Sequence, residues 1–349
     1  MICPSNCYLV CKVMSVERPK VSIIVPIYNV ENYIERCAVS LFEQTYDNIE
    51  YVFVNDCSTD HSVDVLKQVL SRYPKRASQA KIINHDRNRG VAASRNTALD
   101  NCAGEFICQV DPDDYIELDA IETLVVHQEK FNLDIVTGQM IKHTMAQDAL
   151  LPFPRYSNKE EMVIDMMQPT MMHSLANRLI KRSLIEDFHI RAEEGVNCGE
   201  DCWMMTRLAY YAKSVDTIDE VVYHYDCTRD GSYTTEKKGI FNEKRLKDDI
   251  DTAQLIVDFF RGKEPAYFDE ANRVTVRSIE VALKRAANAG DHDLYDEMCA
   301  RLKACDEKYW DAIGWNNGFK RLVSQNYHSC RIALSLSRVY NKILSYKYK

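Results

Sequence analysis

The chain has 349 residues, 46% of them apolar and 28% charged, with a formal net charge of −8. Such a composition supports a substantial globular core, its acidity argues against general nucleic-acid binding, and no apolar run approaches the roughly 18 residues of a membrane span. Thirteen cysteines, an odd number scattered along the chain, suit a reducing compartment better than a disulfide framework.

The N-terminus lacks a charged-then-apolar signal layout, so secretion is not expected. Residues 1–20 read as a disordered leader, with Met14 as a second possible start and Cys3, Cys7 and Cys11 at four-residue spacing. The β-branched run Val21–Val25, ended by Pro26, predicts a buried strand. A helix follows over Asn32–Gln44, then a strand over Glu50–Val54 that runs into Asn55-Asp56-Cys57-Ser58-Thr59-Asp60. Val63, Leu66, Val69 and Leu70 mark a second helix. Ala80–Asn84 is the third strand, Val91–Asn101 a helix, Glu105–Val110 the fourth strand, Leu118–Lys130 a helix and Asp134–Gly138 another strand.

Such alternation with near-continuous apolar strands predicts an α/β fold: a Rossmann-like, mostly parallel sheet flanked by helices. Ligands then bind beyond the carboxyl ends of the strands, which would bring Asn29, Asp56, Asn88 and Asp111 to one crevice. After Gln139 the alternation breaks. Leu151–Gln168 reads as irregular, Leu175–Ile185 and Cys202–Ala212 as helical, and Val221–Asp226 as a last strand. From residue 236 onward the pattern is helical, so the chain divides into 21–235 and a helical C-terminal region, 236–349.

The fourth strand ends in Asp111-Pro112-Asp113-Asp114. Carboxylates crowded at a strand end repel one another unless a positive charge lies between them, and a hard divalent cation is the obvious candidate. Pro112 biases Asp111 towards extended backbone, freeing the acids from regular periodicity.

Taken in order, Val25-Pro26-Ile27-Tyr28-Asn29, Asn55–Asp60, Asn88-Arg89-Gly90 with Arg95-Asn96, Asp111–Asp114 and Glu200-Asp201 resemble the pattern of glycosyltransferase family 2 on the GT-A fold, over about Val21 to Ser232. Each motif alone is weak; five in this order are specific. The resemblance implies an inverting transfer from a nucleotide sugar, with Mg²⁺ or Mn²⁺ on Asp111 and Asp113 neutralising the leaving diphosphate. Asp114 would be a further metal ligand or would bind the donor's ribose or sugar. Asp56 is similar to the family's base-reading carboxylate, which favours a UDP-sugar, and Pro26, Tyr28, Asn29 and Glu31 would shape the base pocket. Cys57 stands where the family has glycine, which argues against a left-handed residue there. Arg95 matches an arginine that approaches the nucleotide, while Arg89 reads equally well as a surface residue.

Glu200-Asp201 is similar to the acceptor-side acidic pair, with Asp201 as the base that deprotonates a sugar hydroxyl and Glu200 orienting the acceptor. Two acids behind Gly199 also suit a helix N-terminus for dipole reasons alone. His224, between two tyrosines, reads as a packed strand residue. The processive relatives' Gln-x-x-Arg-Trp segment is not found, so single-sugar addition is expected.

From Phe319 to Lys349 there are seven basic residues and no acid, and from Arg331 the apolar residues fall on one helical face. Such a helix either docks on the protein or binds an anionic membrane surface. The second case would suit a lipid-linked saccharide acceptor and a cytoplasmic enzyme peripheral to the membrane. The rivals are a catalytically inactive glycan- or nucleotide-binding protein on the same fold and a nucleotidyltransferase; the latter would carry a Gly-rich phosphate loop after the first strand, where Pro26-Ile27-Tyr28-Asn29-Val30 stands.

Overall fold

The computed structural model describes residues 18–156, 158–168, 171–196, 198–228, 243–313 and 327–328. The leader to residue 17, Ser232, the boundary at 235/236 and nearly all of the basic tail lie outside the described residues.

In chain order the elements are β1 (Val21–Ile27), α1 (Ile34–Phe42), β2 (Ile49–Asn55), α2 (Ser62–Ser71), α3 (Pro74–Ala77), β3 (Ala80–Asn84), α4 (Val91–Asn101), β4 (Phe106–Gln109), β5 (Tyr115–Ile116), α5 (Ala120–Phe131), β6 (Ile135–His143), β7 (Ala149–Leu151), α6 (Lys159–Met166), β8 (Arg178–Lys181), α7 (Arg182–Asp187), α8 (Glu200–Tyr211) and β9 (Val215–Asp226). Helices α9 (Glu243–Phe260), α10 (Pro265–Ala289) and α11 (His292–Ala304) and a 3₁₀ turn, Glu307–Ile313, complete the described chain.

The strands form one sheet in the order β3-β2-β1-β4-β8-β6-β9-β5, with β7 on β6. Pairs β3·β2, β2·β1, β1·β4 and β6·β9 are parallel. Strand β8 runs antiparallel to both β4 and β6 and joins the two parallel blocks. Every residue of β1 and β2 is buried, because helices cover both faces. Val21, Ile23, Val25 and Ile27 face a core shared with α1, α2 and α5. Ile24 faces the other core, with Val52, Val54 and residues of α4, α6, α7 and α8. Ile256, Val257 and Phe260 of α9 and Tyr267, Ala271 and Val274 of α10 belong to that second core. The C-terminal helices therefore dock on the sheet domain, and a further cluster joins α9, α10 and α11 to one another.

Three sequence expectations change. Leu175–Ile185 is a strand followed by a short helix, because Phe106 and Ile107 of β4 and Ile135 to Thr137 of β6 offer β8 a ladder on both sides. Leu151–Gln168 contains α6, capped by the Asn158 side chain, which accepts the Glu161 amide. The last strand begins at Val215, and its register against β6 shifts around Gln139. Among the described residues no helix is long and apolar enough to cross a membrane.

Candidate active site

Strands β1, β2 and β4 end on the same side of the sheet, and their following loops build the site. At β2, Asp56 is buried and already occupied. Its Oδ1 accepts the Arg89 amide at 2.8 Å and faces His85 Nδ1 at 2.7 Å, and its Oδ2 accepts the Gly90 amide at 2.7 Å. The carboxylate thus clamps the loop that leads from β3 into α4. His85 Nε2 meets Thr97 Oγ1 at 2.9 Å, which fixes the ring from behind. Cys57 adopts φ +60, so the left-handed residue is present without glycine. Asn29 is left-handed too, at φ +49, and its Oδ1 accepts the Thr59 amide at 2.9 Å. Glu31 Oε2 accepts the His61 amide at 2.9 Å, and Asp60 takes the amides of Glu31 and Ser62. Asn29, Glu31 and Asp60 therefore lace the β1 and β2 loops together at the start of α2. Pro26 is buried within β1, Tyr28 is 45% exposed, and Asn88 is exposed. Arg89 pairs with Glu194 at 3.2 Å on the surface.

In the acidic corner the three carboxylates separate into two kinds. Asp114 is buried and pinned: Oδ2 accepts the Tyr223 hydroxyl at 2.7 Å and Oδ1 accepts the Asp226 amide at 2.8 Å. Burial and the neighbouring charges of Asp111 and Asp113 push its pKa well above the usual carboxylate range. The Tyr223 oxygen in turn accepts the Asp111 amide at 3.1 Å, so one β9 side chain holds both ends of the turn. Arg36 reaches the same corner, donating to the Asp113 carbonyl at 2.8 Å and to Asp226 Oδ2 at 2.6 Å. The Asp111 carboxylate is more open, and Gln109 Nε2 lies 3.4 Å from its Oδ1.

Across from Asp111, α8 begins behind Gly199, which holds φ +87. Glu200 and Asp201 occupy the first turn. The buried Arg95 of α4 meets both: Nη1 lies 2.5 Å from Glu200 Oε1 and 2.6 Å from Asp201 Oδ1, while Nη2 is 3.6 Å from Asp111 Oδ1. Arg95 is thus the shared counter-ion of Asp111 and of the acidic pair that opens α8. Burial opposes its charge, but Asp201, Glu200 and Asp111 together outweigh that and raise its pKa. Burial lifts Asp201 to about 6 against the opposing pull of Arg95, and Glu200 adds to the rise. Asp111, although a third of its side chain is exposed, is raised in the same direction by its packed surroundings, against Arg95, with Asp201 and Asp113 adding.

Among the described residues no group of three or more His, Cys, Asp and Glu side chains is arranged to hold a metal by itself. Magnesium-type cations, however, commonly take one or two carboxylates and complete their shell with water and substrate phosphate. Asp111 fits such a site: it has hard oxygen donors and a carboxylate that desolvation, with its acidic neighbours, renders costly to ionise. Asp113 lies within electrostatic reach of it.

His224 packs in its strand, its ring stacked 4.4 Å from Tyr115 and its Nδ1 2.9 Å from His143 Nε2. Sequence reasoning gave no signal for Asp226 or Arg36, and Tyr223 drew notice only as a neighbour of His224, not as a partner of Asp114. A tyrosine and an aspartate in a strand, and an arginine on a helix, are ordinary locally; their roles follow from pairings across the fold.

Comparison with known proteins agrees with this geometry. The profile described as Glycosyl transferase family 2 matches residues 22–188. The putative glycosyltransferase EpsH of Bacillus subtilis is 33% identical over 222 residues, which cover 60% of this chain and 61% of EpsH. The poly(ribitol-phosphate) beta-N-acetylglucosaminyltransferase TarS of Staphylococcus aureus is 25% identical over 223 residues, which cover 61% of this chain and 36% of TarS. The chain thus spans under two thirds of the length of these relatives. Among solved structures, TarS 1–349 in complex with UDP-GlcNAc superposes with a TM-score of 0.55 at 20% identity, covering 80% of this chain and 90% of that one. The mannosyltransferase PcManGT of Pyrobaculum calidifontis, in complex with GDP-Man and Mn²⁺, gives 0.50 at 19% identity, covering 86% and 87%. Residues 22–188 thus match glycosyl transferase family 2, and the chain adopts the GT-A fold of these solved structures.

Proposed function

We propose that the protein is an inverting, metal-dependent, non-processive glycosyltransferase that moves one sugar from a UDP-sugar to a saccharide hydroxyl. The observation that carries this reading is Arg95, which ties Asp111 on one side of the crevice to Glu200 and Asp201 on the other. Two acidic stations facing each other across a single buried cation are what a displacement needs: one beside the leaving group, one beside the nucleophile. The complexes of TarS with UDP-GlcNAc and of PcManGT with GDP-Man and Mn²⁺ support a nucleotide-sugar donor and a divalent cation.

In this mechanism Asp201 accepts the proton of the acceptor hydroxyl. The hydroxyl oxygen attacks the anomeric carbon from the face opposite the diphosphate, the bond to the diphosphate breaks, and the nucleotide diphosphate leaves with the electron pair. Asp111 and Asp113 would hold Mg²⁺ or Mn²⁺, which supplies charge neutralisation at that leaving group. Arg95 keeps Asp201 ionised and aimed. Asp56, by fixing the Arg89 and Gly90 amides, would shape the wall of the base pocket, in keeping with the resemblance to the family's uracil-reading carboxylate. Pro26, Tyr28, Asn29, Glu31 and Asn88 line or support that wall. Glu200 orients the acceptor.

The acceptor belongs to surface polysaccharide or glycolipid assembly, in keeping with relatives named for teichoic acid polymers. The basic tail, 319–349, would place the enzyme on the cytoplasmic face of an anionic membrane. A panel of UDP- and GDP-sugars with Mn²⁺ or Mg²⁺, read as nucleotide diphosphate release, tests the reading. Turnover that needs no metal would overturn it.

A further inference from the structure

Arg178, the first residue of β8, is a buried cation that lacks a carboxylate within ion-pair distance among the described residues; it is 1% exposed. Its hydrogen bonds are to neutral oxygens: Nε donates to the Ser174 carbonyl at 2.7 Å and Nη1 to Thr137 Oγ1 at 2.9 Å. The guanidinium also lies 5.4 Å from the Phe153 ring centroid. Burial drives its pKa down to about 10, against the pull of Tyr156 and Asp201. Burying a charge without an equal partner is costly, and a neutral side chain of similar size would serve packing better.

The surroundings are equally under-bonded. His173 Nε2 and Tyr156 Oη are buried atoms without a hydrogen-bond partner, and both residues, like Asp201, are within electrostatic reach of Arg178. Asn177 Oδ1, one residue away, is a third such atom. A planar guanidinium whose described hydrogen bonds go to neutral oxygens is suited to two-pronged recognition of a phosphate or carboxylate. The other groups are suited to hydroxyls. With Asp201 as a negative neighbour, one arginine matches a monoanion better than a dianion.

We propose that Arg178 is an acceptor-recognition residue that binds a single negative charge on the acceptor, a phosphodiester or a uronate carboxylate, beside the hydroxyl that Asp201 deprotonates. Tyr156 and His173 complete this subsite. The proposal rests on the reading of Asp201 as the acceptor-side base. It makes the enzyme selective for an anionic glycan or polyol-phosphate chain over a neutral one.

The test uses the whole chain saturated with UDP and Mn²⁺, so that the donor side is filled, at physiological ionic strength. Calorimetric titrations compare glycerophosphoglycerol, methyl glucuronide and methyl glucoside. One of the two anions is expected to bind at least about tenfold more tightly than the neutral glucoside, and which of them does so identifies the group. Arg178→Met should abolish the difference while UDP binding persists, and Arg178→Lys should retain part of it. Equal binding of all three probes by the wild type, or an anion preference that survives Arg178→Met, would overturn the proposal. Should Arg178→Met fail to fold, Tyr156→Phe removes only an unbonded hydroxyl. It should weaken the preferred anion several-fold and leave the glucoside unchanged, and unaltered anion binding there would count equally against the subsite. Failure of the wild type to bind UDP would instead contradict the donor reading and is seen in the same experiment.

Discussion

Arg95 Nη1 lies 2.6 Å from Asp201 Oδ1, with both groups drawn into the interior between α4 and α8. The same nitrogen is 2.5 Å from Glu200, so one guanidinium sets the direction of both acids in the first turn of α8. Replacing Arg95 by methionine leaves three mutually repelling carboxylates without their cation. Breaking a buried charge network in this way costs about 3–5 kcal/mol, and urea unfolding should show a loss of that order at neutral pH. Arg95→Lys keeps the charge but not the fork, so its stability should lie between the two while kcat falls with little change in donor KM.

The carboxyls that Arg95 gathers store a strain of their own. Burial, opposed by Arg95, holds Asp201 at about 6, above the ordinary value of 3.8. A group raised in the folded state costs stability once pH passes the unfolded value, and the cost is complete above the folded one. Asp201→Asn should therefore stabilise the metal-free protein at pH 8 by about 1–2 kcal/mol, even as it removes the proposed base. The gain should vanish by pH 4, where the wild-type group is protonated in the folded state. Thermal unfolding of both proteins across that range checks the sign.

Glu50, in the middle of the sheet, behaves in the opposite sense. Burial pushes its pKa up, but the Ser22 hydroxyl, the Ala103 amide and Lys20 together outweigh this and bring it down to about 2, from 4.5. The Ser22 bond measures 2.6 Å, and the Gly104 amide adds another at 2.9 Å. The stabilisation is fully present above the unfolded value of 4.5 and is lost as pH falls through about 2. Roughly 2–3 kcal/mol of acid sensitivity follows from a shift of this size. Glu50→Gln should remove most of the slope between pH 4.5 and 2 and lower stability at pH 7.

Gly199 links the site to the C-terminal helices. A Cβ at this position would stand 2.6 Å from Thr252 Oγ1 and 3.1 Å from Thr252 Cβ, and the backbone is left-handed at φ +87. Thr252 in turn donates to the Cys198 carbonyl at 3.3 Å. Gly199→Ala should thus displace the start of α8 and lower kcat at least about tenfold while leaving donor KM near the wild-type value. Thr252→Gly in the same chain reopens the space and should restore part of the rate. A double variant no better than Gly199→Ala alone would show that the contact does not position the acids.

The strands around the site were legible because β1, β2 and β4 are apolar runs buried on both faces, and Asp56 and Asp111 follow directly from where those runs stop. Strand β8 was not, since Leu175, Leu179, Ile180 and Leu184 also fit helical spacing and only the ladders with β4 and β6 decide between them. Individual acids were legible as acids but not as partners. Asp114 is held by Tyr223 and Asp226 more than a hundred residues onward, and Arg95 by Glu200 at a similar separation. Asn29 and Glu31 read as pocket residues in the sequence, whereas their side chains bond the backbone of the β2 loop. That Arg178 lacks a carboxylate within ion-pair distance among the described residues is a property of the folded chain, with no counterpart in local sequence.

The central claim is that Asp111 and Asp201 face a common crevice and serve opposite partners, the donor diphosphate and the acceptor hydroxyl. It is tested most directly by measuring nucleotide diphosphate release from a UDP-sugar, with Mn²⁺ and acceptor present, for the wild type, Asp201→Asn and the double variant Asp111→Ala with Asp113→Ala. The account predicts metal-dependent release by the wild type. It predicts that Asp201→Asn binds UDP and Mn²⁺ normally but loses at least about a hundredfold in rate, and that the double variant loses both metal dependence and turnover. Undiminished release by either variant would contradict it.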